Sequence, residues 1–106
     1  MAKVPGYHET GTASWYGSRF QGRKTASGER FDSRLFTAAH RTLPLGSYAR
    51  IRSRLNNKSV VVRINDRGPQ DKSRIIDLSY AAAASLDMVA KGCIEVDIDV
   101  DIESQN

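Results

Sequence analysis

A chain of 106 residues holds one domain with one modest core, and its 40% hydrophobic and 26% charged content excludes a disordered or fibrous protein. The net charge of +4 points toward an anionic partner or a solubilising basic face. No window reaches the roughly 18 consecutive apolar residues of a membrane-spanning helix, Met1 to Tyr7 lacks the apolar stretch of a signal peptide, and a single cysteine, Cys93, excludes an internal disulfide or a cysteine zinc site.

Residues 1–10 read as a flexible lead-in. Thr12 to Tyr16 predicts a short strand ending in two aromatics; neighbours on a strand face opposite ways, so one of Trp15 and Tyr16 points outward. Phe20 to Arg30 is polar, carries Gly22 and Gly28, and reads as a long loop. Leu35 to Ala39 is a short apolar strand that ends at His40, and Leu43-Pro44-Leu45-Gly46 is a turn. Tyr48 to Ser53 alternates, with Ala49, Ile51 and Ser53 on one face and Tyr48, Arg50 and Arg52 on the other. Asn56-Asn57 suits a tight turn with positive φ, so residues 48–65 predict a hairpin. Its second arm, Val60 to Ile64, is rich enough in β-branched residues to predict a buried strand, and Gly68-Pro69 stops it. Ile75 to Leu78 is a further short strand. Ser79 is placed to N-cap a helix from Tyr80 to about Val89, with Gly92 just beyond its end. From Cys93 to Glu103, Ile94, Val96, Ile98, Val100 and Ile102 alternate with acids, which predicts a half-buried strand with a solvated acidic face. That acid row lacks the ligand loop of a calcium site, and Cys93 reads as a buried, inert thiol. Many short strands with one short helix make the fold mainly β and suggest a small closed barrel.

The residues with chemical potential are few. Asp66 sits at the end of the Val60 strand, just before the Gly-Pro break, where a rigid scaffold can aim a carboxylate. The plainer reading is a turn Asp that caps its own backbone. His40 after an apolar strand is by pattern a structural hydrogen-bonder, and His8 lies in the lead-in, so no metal-ligand spacing recurs. Arginine dominates the cations, which suits recognition of carboxylate or phosphate. Glu95, Asp97, Asp99, Asp101 and Glu103 place five acids in the last strand, so residues 1–94 are more basic than the total. Nucleic acid is one candidate partner on charge alone, but aromatics are not interleaved along a basic groove.

Five ordered motifs carry a resemblance: Gly11-Thr-Ala-Ser-Trp-Tyr-Gly17, Thr25-Ala-Ser-Gly-Glu-Arg-Phe31, Thr37-Ala-Ala-His-Arg-Thr-Leu-Pro-Leu-Gly46, Val60-Val-Val-Arg-Ile-Asn-Asp-Arg-Gly-Pro69 and Arg74-Ile-Ile-Asp-Leu-Ser79. In order and spacing they resemble the rare lipoprotein A (RlpA) family over residues 11–92. The resemblance implies a six-stranded double-psi β-barrel, like those of expansins and barwin, with one or two short helices. It implies a barrel domain over residues 11–103, with none of the C-terminal SPOR domain that many members carry. The implied activity is that of an endolytic lytic transglycosylase. Such an enzyme cuts the β-1,4 bond between N-acetylmuramic acid and N-acetylglucosamine in peptidoglycan, prefers glycan strands stripped of stem peptides, and leaves 1,6-anhydro-muramyl ends. The alternative is a non-catalytic, expansin-like binder of wall glycan.

By family position, Asp66 matches the catalytic acid, and Glu29 and His40 match the other polar members of the cleft. Trp15, Tyr16, Thr25, Ser27, Asn65 and Arg67 fall where substrate would bind. A lytic reaction needs no activated water, because the muramyl C6 hydroxyl attacks its own C1, so one acid/base group serves both steps. A hydrolase needs two carboxylates, about 5 Å apart for retention or about 6.5–9.5 Å for inversion, and Glu29 keeps that option open. Arg67 suits the lactyl carboxylate of muramic acid, or else pairs with Asp66 or Asp77; pairing with Asp66 would oppose general-acid duty. The family implies no cofactor and no metal, peptidoglycan strands rather than nucleic acid as partner, and a monomer. The implied location is the bacterial periplasm or cell envelope, as part of an outer-membrane lipoprotein or a secreted protein.

Overall fold

The computed structural model describes residues 6–17 and 20–100. Six strands, β1 (Tyr7–Trp15), β2 (Thr37–Ala39), β3 (Tyr48–Ser53), β4 (Ser59–Asp66), β5 (Ile76–Leu78) and β6 (Ile94–Val100), surround one interior, and a single helix, α1 (Tyr80–Ser85), follows β5. The strands close into a barrel in the order β1-β5-β2-β4-β3-β6. The β1–β5 and β2–β4 pairs are parallel, and the other four are antiparallel. Closure comes from β1 and β6, which pair from Tyr7 opposite Val100 to Ala13 opposite Ile94. Among the described residues no helix is long and apolar enough to cross a membrane.

Period-2 patterning fills the barrel. On β3, Ala49, Ile51 and Ser53 point inward while Tyr48, Arg50 and Arg52 are exposed, and Ile94, Val96, Ile98 and Val100 line the inner face of β6. Ile51, Val62, Ile64, Ile76, Leu78, Val96 and Ile98 lose essentially all solvent contact, each worth about 1.5–3 kcal/mol of transfer free energy. Helix α1 packs on β1, β4 and β5 through Ala82 and Ala83, whose small side chains allow close approach. The Ser79 hydroxyl caps α1 by accepting from the Ala82 N–H.

Several elements differ from the sequence expectation. The first strand begins at Tyr7, so residues 7–10 are ladder rather than flexible lead-in; residues 1–5 lie outside the described residues. His-Glu-Thr-Gly is not a strand sequence by propensity, and its order comes from β6, about ninety residues away, where His8 Nδ1 meets Asp99 at 2.7 Å. The helix stops at Ser85 rather than near Val89, because Asp87 takes a left-handed φ of 56° and a second turn follows, closed by the Gly92 N–H on the Met88 carbonyl. The Val60 strand is buried on one side only, since Val61 is 47% exposed. Cys93 is exposed rather than buried. The end of the last predicted strand, 101–103, lies outside the described residues.

The acidic face of β6 is not uniformly solvated either. Glu95 and Asp99 are exposed, but Asp97 is buried among Thr10 Oγ1 at 2.7 Å, Arg52 at 2.8 Å and Arg54 at 3.1 Å. The Thr10 hydroxyl first, then the two guanidiniums, hold its carboxyl below the usual carboxylate range against the opposing effect of burial. A depressed folded-state pKa stabilises the fold above the unfolded value of about 4 and loses that contribution as pH falls below it. Asp97→Ala is therefore expected to lower the thermal midpoint more than Asp99→Ala at pH 7. The difference should shrink as the melts are repeated toward pH 2.

Candidate active site

Regular alternation would send Asp66 into the barrel. Val62 and Ile64 point inward from β4 and are fully buried, so an uninterrupted strand would aim residue 66 the same way. The β2–β4 ladder prevents this. Thr37 lies opposite Arg63 and Ala38 opposite Ile64, but Ala39 lies opposite Asp66. The extra residue, Asn65, makes a bulge, and bulges re-aim the side chain that follows them. Asp66 thus emerges half-buried at the barrel rim while its carbonyl still accepts from the His40 N–H at 3.2 Å.

The loop between β1 and β2 seats on this bulge. The Ser27 N–H donates to the Asn65 carbonyl at 3.1 Å, and the Ala26 N–H reaches Asp66 Oδ1 at 3.0 Å. A second backbone donor, from Arg67, reaches the same oxygen at 2.8 Å. The other carboxylate oxygen, Oδ2, accepts from the Tyr16 hydroxyl at 3.2 Å. Burial, then the Asp66 charge, pushes the Tyr16 phenol far above its usual range, so it remains a donor. The loop turns at Gly28, whose φ of 93° suits glycine, and the Gly28 N–H closes the turn on the Thr25 carbonyl.

Three cavities of about 130, 310 and 380 Å³ share Tyr16 and Phe20 in their walls and together form an open groove. Asp66 lines two of them. On one side the groove runs to Arg23, Lys24, Thr25 and Phe31, on the other to Arg74 and Asp77. The Tyr16 ring is fixed by Phe20 at 5.3 Å and Phe31 at 4.7 Å between centroids.

The other sequence candidates separate into three environments. Thr25 is buried in the groove wall, with its hydroxyl on the Glu29 carbonyl at 2.8 Å. Ser27 and Glu29 lie on the same loop, but the Glu29 carboxylate faces Arg63, which grips it with two hydrogen bonds at 2.6 and 3.0 Å. Chiefly through that grip its pKa falls to about 2. Asn65 is buried, and its side-chain oxygen finds no hydrogen-bond partner among the described residues. Trp15 packs edge-on against Tyr80 at 5.5 Å and also borders the Arg74 side of the groove. Arg67 does not pair with Asp66 or Asp77. Its guanidinium donates to the carbonyls of His40 at 3.0 Å and Leu43 at 2.8 Å.

The His40 imidazole does not reach the groove. It is 3% exposed; its Nδ1 accepts from the N–H groups of Thr42 and Leu43, both at 3.1 Å. Its Nε2 is 3.0 Å from Glu9 and, with Nδ1 accepting, is the nitrogen that donates. Burial raises the Glu9 pKa, but hydrogen bonds from Tyr7 and His40 more than offset this and hold it below its usual range. Tyr7 also stands edge-on to the imidazole at 5.9 Å. His40 therefore meets Asp66 only through backbone: its N–H holds the Asp66 carbonyl, and its own carbonyl anchors Arg67. Glu9 escaped notice because it falls in the polar lead-in, and the groove residues Phe20, Phe31 and Arg74 carry no local signal beyond aromatic or basic character.

His40→Ala leaves the buried Leu43 N–H without its acceptor, a loss of about 1–3 kcal/mol. Urea unfolding is expected to show that loss for His40→Ala and a much smaller one for Asp66→Asn. For Glu29, the depressed pKa stabilises the fold above its unfolded value of about 4.3 and is lost as pH falls through about 2. Melting the wild type and Glu29→Gln between pH 5 and 2 should show the wild type losing its advantage in that window.

The family model described as lytic transglycolase matches residues 8–98. Over 104 residues the chain is 52% identical to a Neisseria meningitidis protein named endolytic peptidoglycan transglycosylase RlpA, covering 98% of this chain and 44% of that one. The chain thus spans less than half the length of the curated relatives it matches. Among solved structures, a Streptomyces papain inhibitor superposes with a TM-score of 0.72 at 23% identity, covering 89% of this chain and 94% of its own. The apo expansin of Clavibacter michiganensis gives 0.70 at 19% identity, covering 93% and 53%. Those two share the barrel, while the family model and the Neisseria relative extend the match to the sequence itself: this chain belongs to the RlpA family of double-psi β-barrel domains.

Proposed function

We propose that the groove is the active site of an endolytic lytic transglycosylase. It cleaves the β-1,4 bond between N-acetylmuramic acid and N-acetylglucosamine, favours glycan strands stripped of stem peptides, and leaves 1,6-anhydro-muramyl ends. The observation that carries this reading is one carboxyl group, Asp66, fixed at the groove wall, with the guanidinium beside it turned away onto carbonyls. Family membership supports the same chemistry, and the similar Neisseria protein is named for it.

In this reading the proton has a place on Asp66 that the hydrogen bonds support. Asp66 Oδ1 accepts two backbone N–H groups, so the acid form would carry its hydrogen on Oδ2, the oxygen that accepts from Tyr16 when the group is ionised. In the first movement Oδ2–H protonates the glycosidic oxygen as the bond from C1 to that oxygen breaks. The carboxylate left behind takes the proton of the muramyl C6 hydroxyl as that oxygen bonds to C1, which closes the anhydro ring. The acid is regenerated and no water is consumed. Glu29 supplies no free second carboxylate: Arg63 holds both of its oxygens, which argues against the two-carboxylate hydrolase. His40 and Arg67 hold the strand end that carries Asp66. On this reading the domain works outside the cytoplasm, in the periplasm or cell envelope, and belongs to an outer-membrane lipoprotein or a secreted protein.

Mass spectrometry of products from denuded glycan strands is expected to show anhydro-muramyl ends. Asp66→Asn keeps the shape and removes the titratable proton, so the rate should fall by about 10²–10⁴-fold with the fold intact. Reducing ends would identify hydrolysis instead. Binding without any product would identify a wall-glycan binder.

A further inference from the structure

We infer that Arg74 reads the free lactyl carboxylate of a muramyl residue and so makes the groove selective for strands without stem peptides. The inference rests on the function proposed above and adds the residue that sets its substrate class. A muramyl lactyl group is an anion only when no peptide is attached; with a stem peptide it is a neutral amide. A selective groove therefore needs a cation that is present, partly desolvated and not already engaged.

Most cations around the groove fail that requirement. Arg67 donates to two carbonyls, Arg41 to the Pro69 carbonyl at 2.7 Å, Arg30 to the Gly22 carbonyl at 3.0 Å, and Arg63 is bound to Glu29. Arg23 and Lys24 line the far side but are exposed, and Arg23 leans over the Phe20 ring at 5.7 Å. Arg74 is different. It lines the two larger cavities, one of them shared with Asp66, and its side chain is 33% exposed. Its Nε is buried without a hydrogen-bond partner among the described residues. Asp77 Oδ1 stands 3.6 Å from that nitrogen, a charge contact beyond hydrogen-bond reach, and is itself occupied by the Ser14 hydroxyl. The exposed Asp71 also feels the Arg74 charge, while its Oδ1 accepts from both the N–H and the hydroxyl of Ser73. Arg74 is thus steered by two carboxylates, and its side chain donates no hydrogen bond to another described residue. A guanidinium in that state suits the fork-to-fork grip on a carboxylate, which a lysine or an amide cannot reproduce.

The test uses the Asp66→Asn chain as a non-cleaving binder, with two probes: denuded glycan strands, and the same strands with lactyl carboxylates converted to methylamides. Asp66→Asn should bind the free acid about tenfold more tightly than the methylamide. Adding Arg74→Gln should abolish the preference and leave both probes at the methylamide level. Arg74→Lys keeps the charge but not the fork, and serves if the Gln variant does not fold; it should retain only part of the preference. An unchanged preference in either variant, or none in Asp66→Asn itself, overturns the inference. The catalytic reading is scored separately. Arg74→Gln on an intact Asp66 should still yield anhydro-muramyl ends, with KM raised and kcat unchanged. Absence of those ends from the wild type would sink the transglycosylase and leave the carboxylate coupling measurable.

Discussion

One surplus residue on β4 governs the site. Had the parallel β2–β4 ladder run without interruption, Asp66 would follow Val62 and Ile64 into an apolar interior, where an isolated carboxylate is strongly disfavoured. Asn65 takes up the extra position and its carbonyl becomes the seat for the Ser27 N–H. The same shift therefore delivers the carboxylate to the rim and fixes the loop that supplies the Ala26 donor. Tyr16, arriving from β1, completes the cage. The groove is thus a consequence of strand register, and its residues are positioned by backbone more than by one another.

Charge is distributed by the same logic. A formal excess of cations suggests a surface prepared for polyanions, yet much of the arginine is internal framework. Arg52 and Arg54 neutralise Asp97, Arg63 holds Glu29, and Arg67, Arg41 and Arg30 satisfy loop carbonyls. A guanidinium is well suited to that task because its five donors lie in a rigid plane and are lost to solvent reluctantly. Net charge therefore says little here about the partner, and the placement of individual guanidiniums says more.

The barrel was legible wherever burial imposes alternation. β3 and β6 read directly from Ala49-Ile51-Ser53 and from Ile94-Val96-Ile98-Val100, and the Asn57 turn, with φ at 67°, joins β3 to β4 as its residue type indicates. The start of β1 was not legible, because Tyr7 to Thr10 owe their strand to pairing with a distant partner rather than to their own propensity. Motif resemblance brought out Asp66, Glu29 and His40 together. It could not distinguish a carboxylate in a groove from one gripped by Arg63, or from a histidine whose ring is enclosed by Glu9, Tyr7 and a backbone turn. Those differences depend on side-chain direction, which motif spacing does not encode. Arg74 belongs to the Arg74–Ser79 motif, but motif spacing does not separate it from Arg63 and Arg67, which Glu29 and backbone carbonyls occupy.

The closing seam between β1 and β6 has a consequence for timing. Every residue in the groove wall precedes residue 80, so their codons are all read before β6 exists. Tyr16, however, is carried by β1, which pairs in parallel with short β5 only from Ala13 to Trp15 and along most of its length with β6. Until residues 94–100 emerge, that strand has little to hold it. Contacts of such long sequence separation form late and slowly. A nascent chain thus carries the parts of the groove without its geometry, and the groove takes shape only once residues 94–100 have paired with β1.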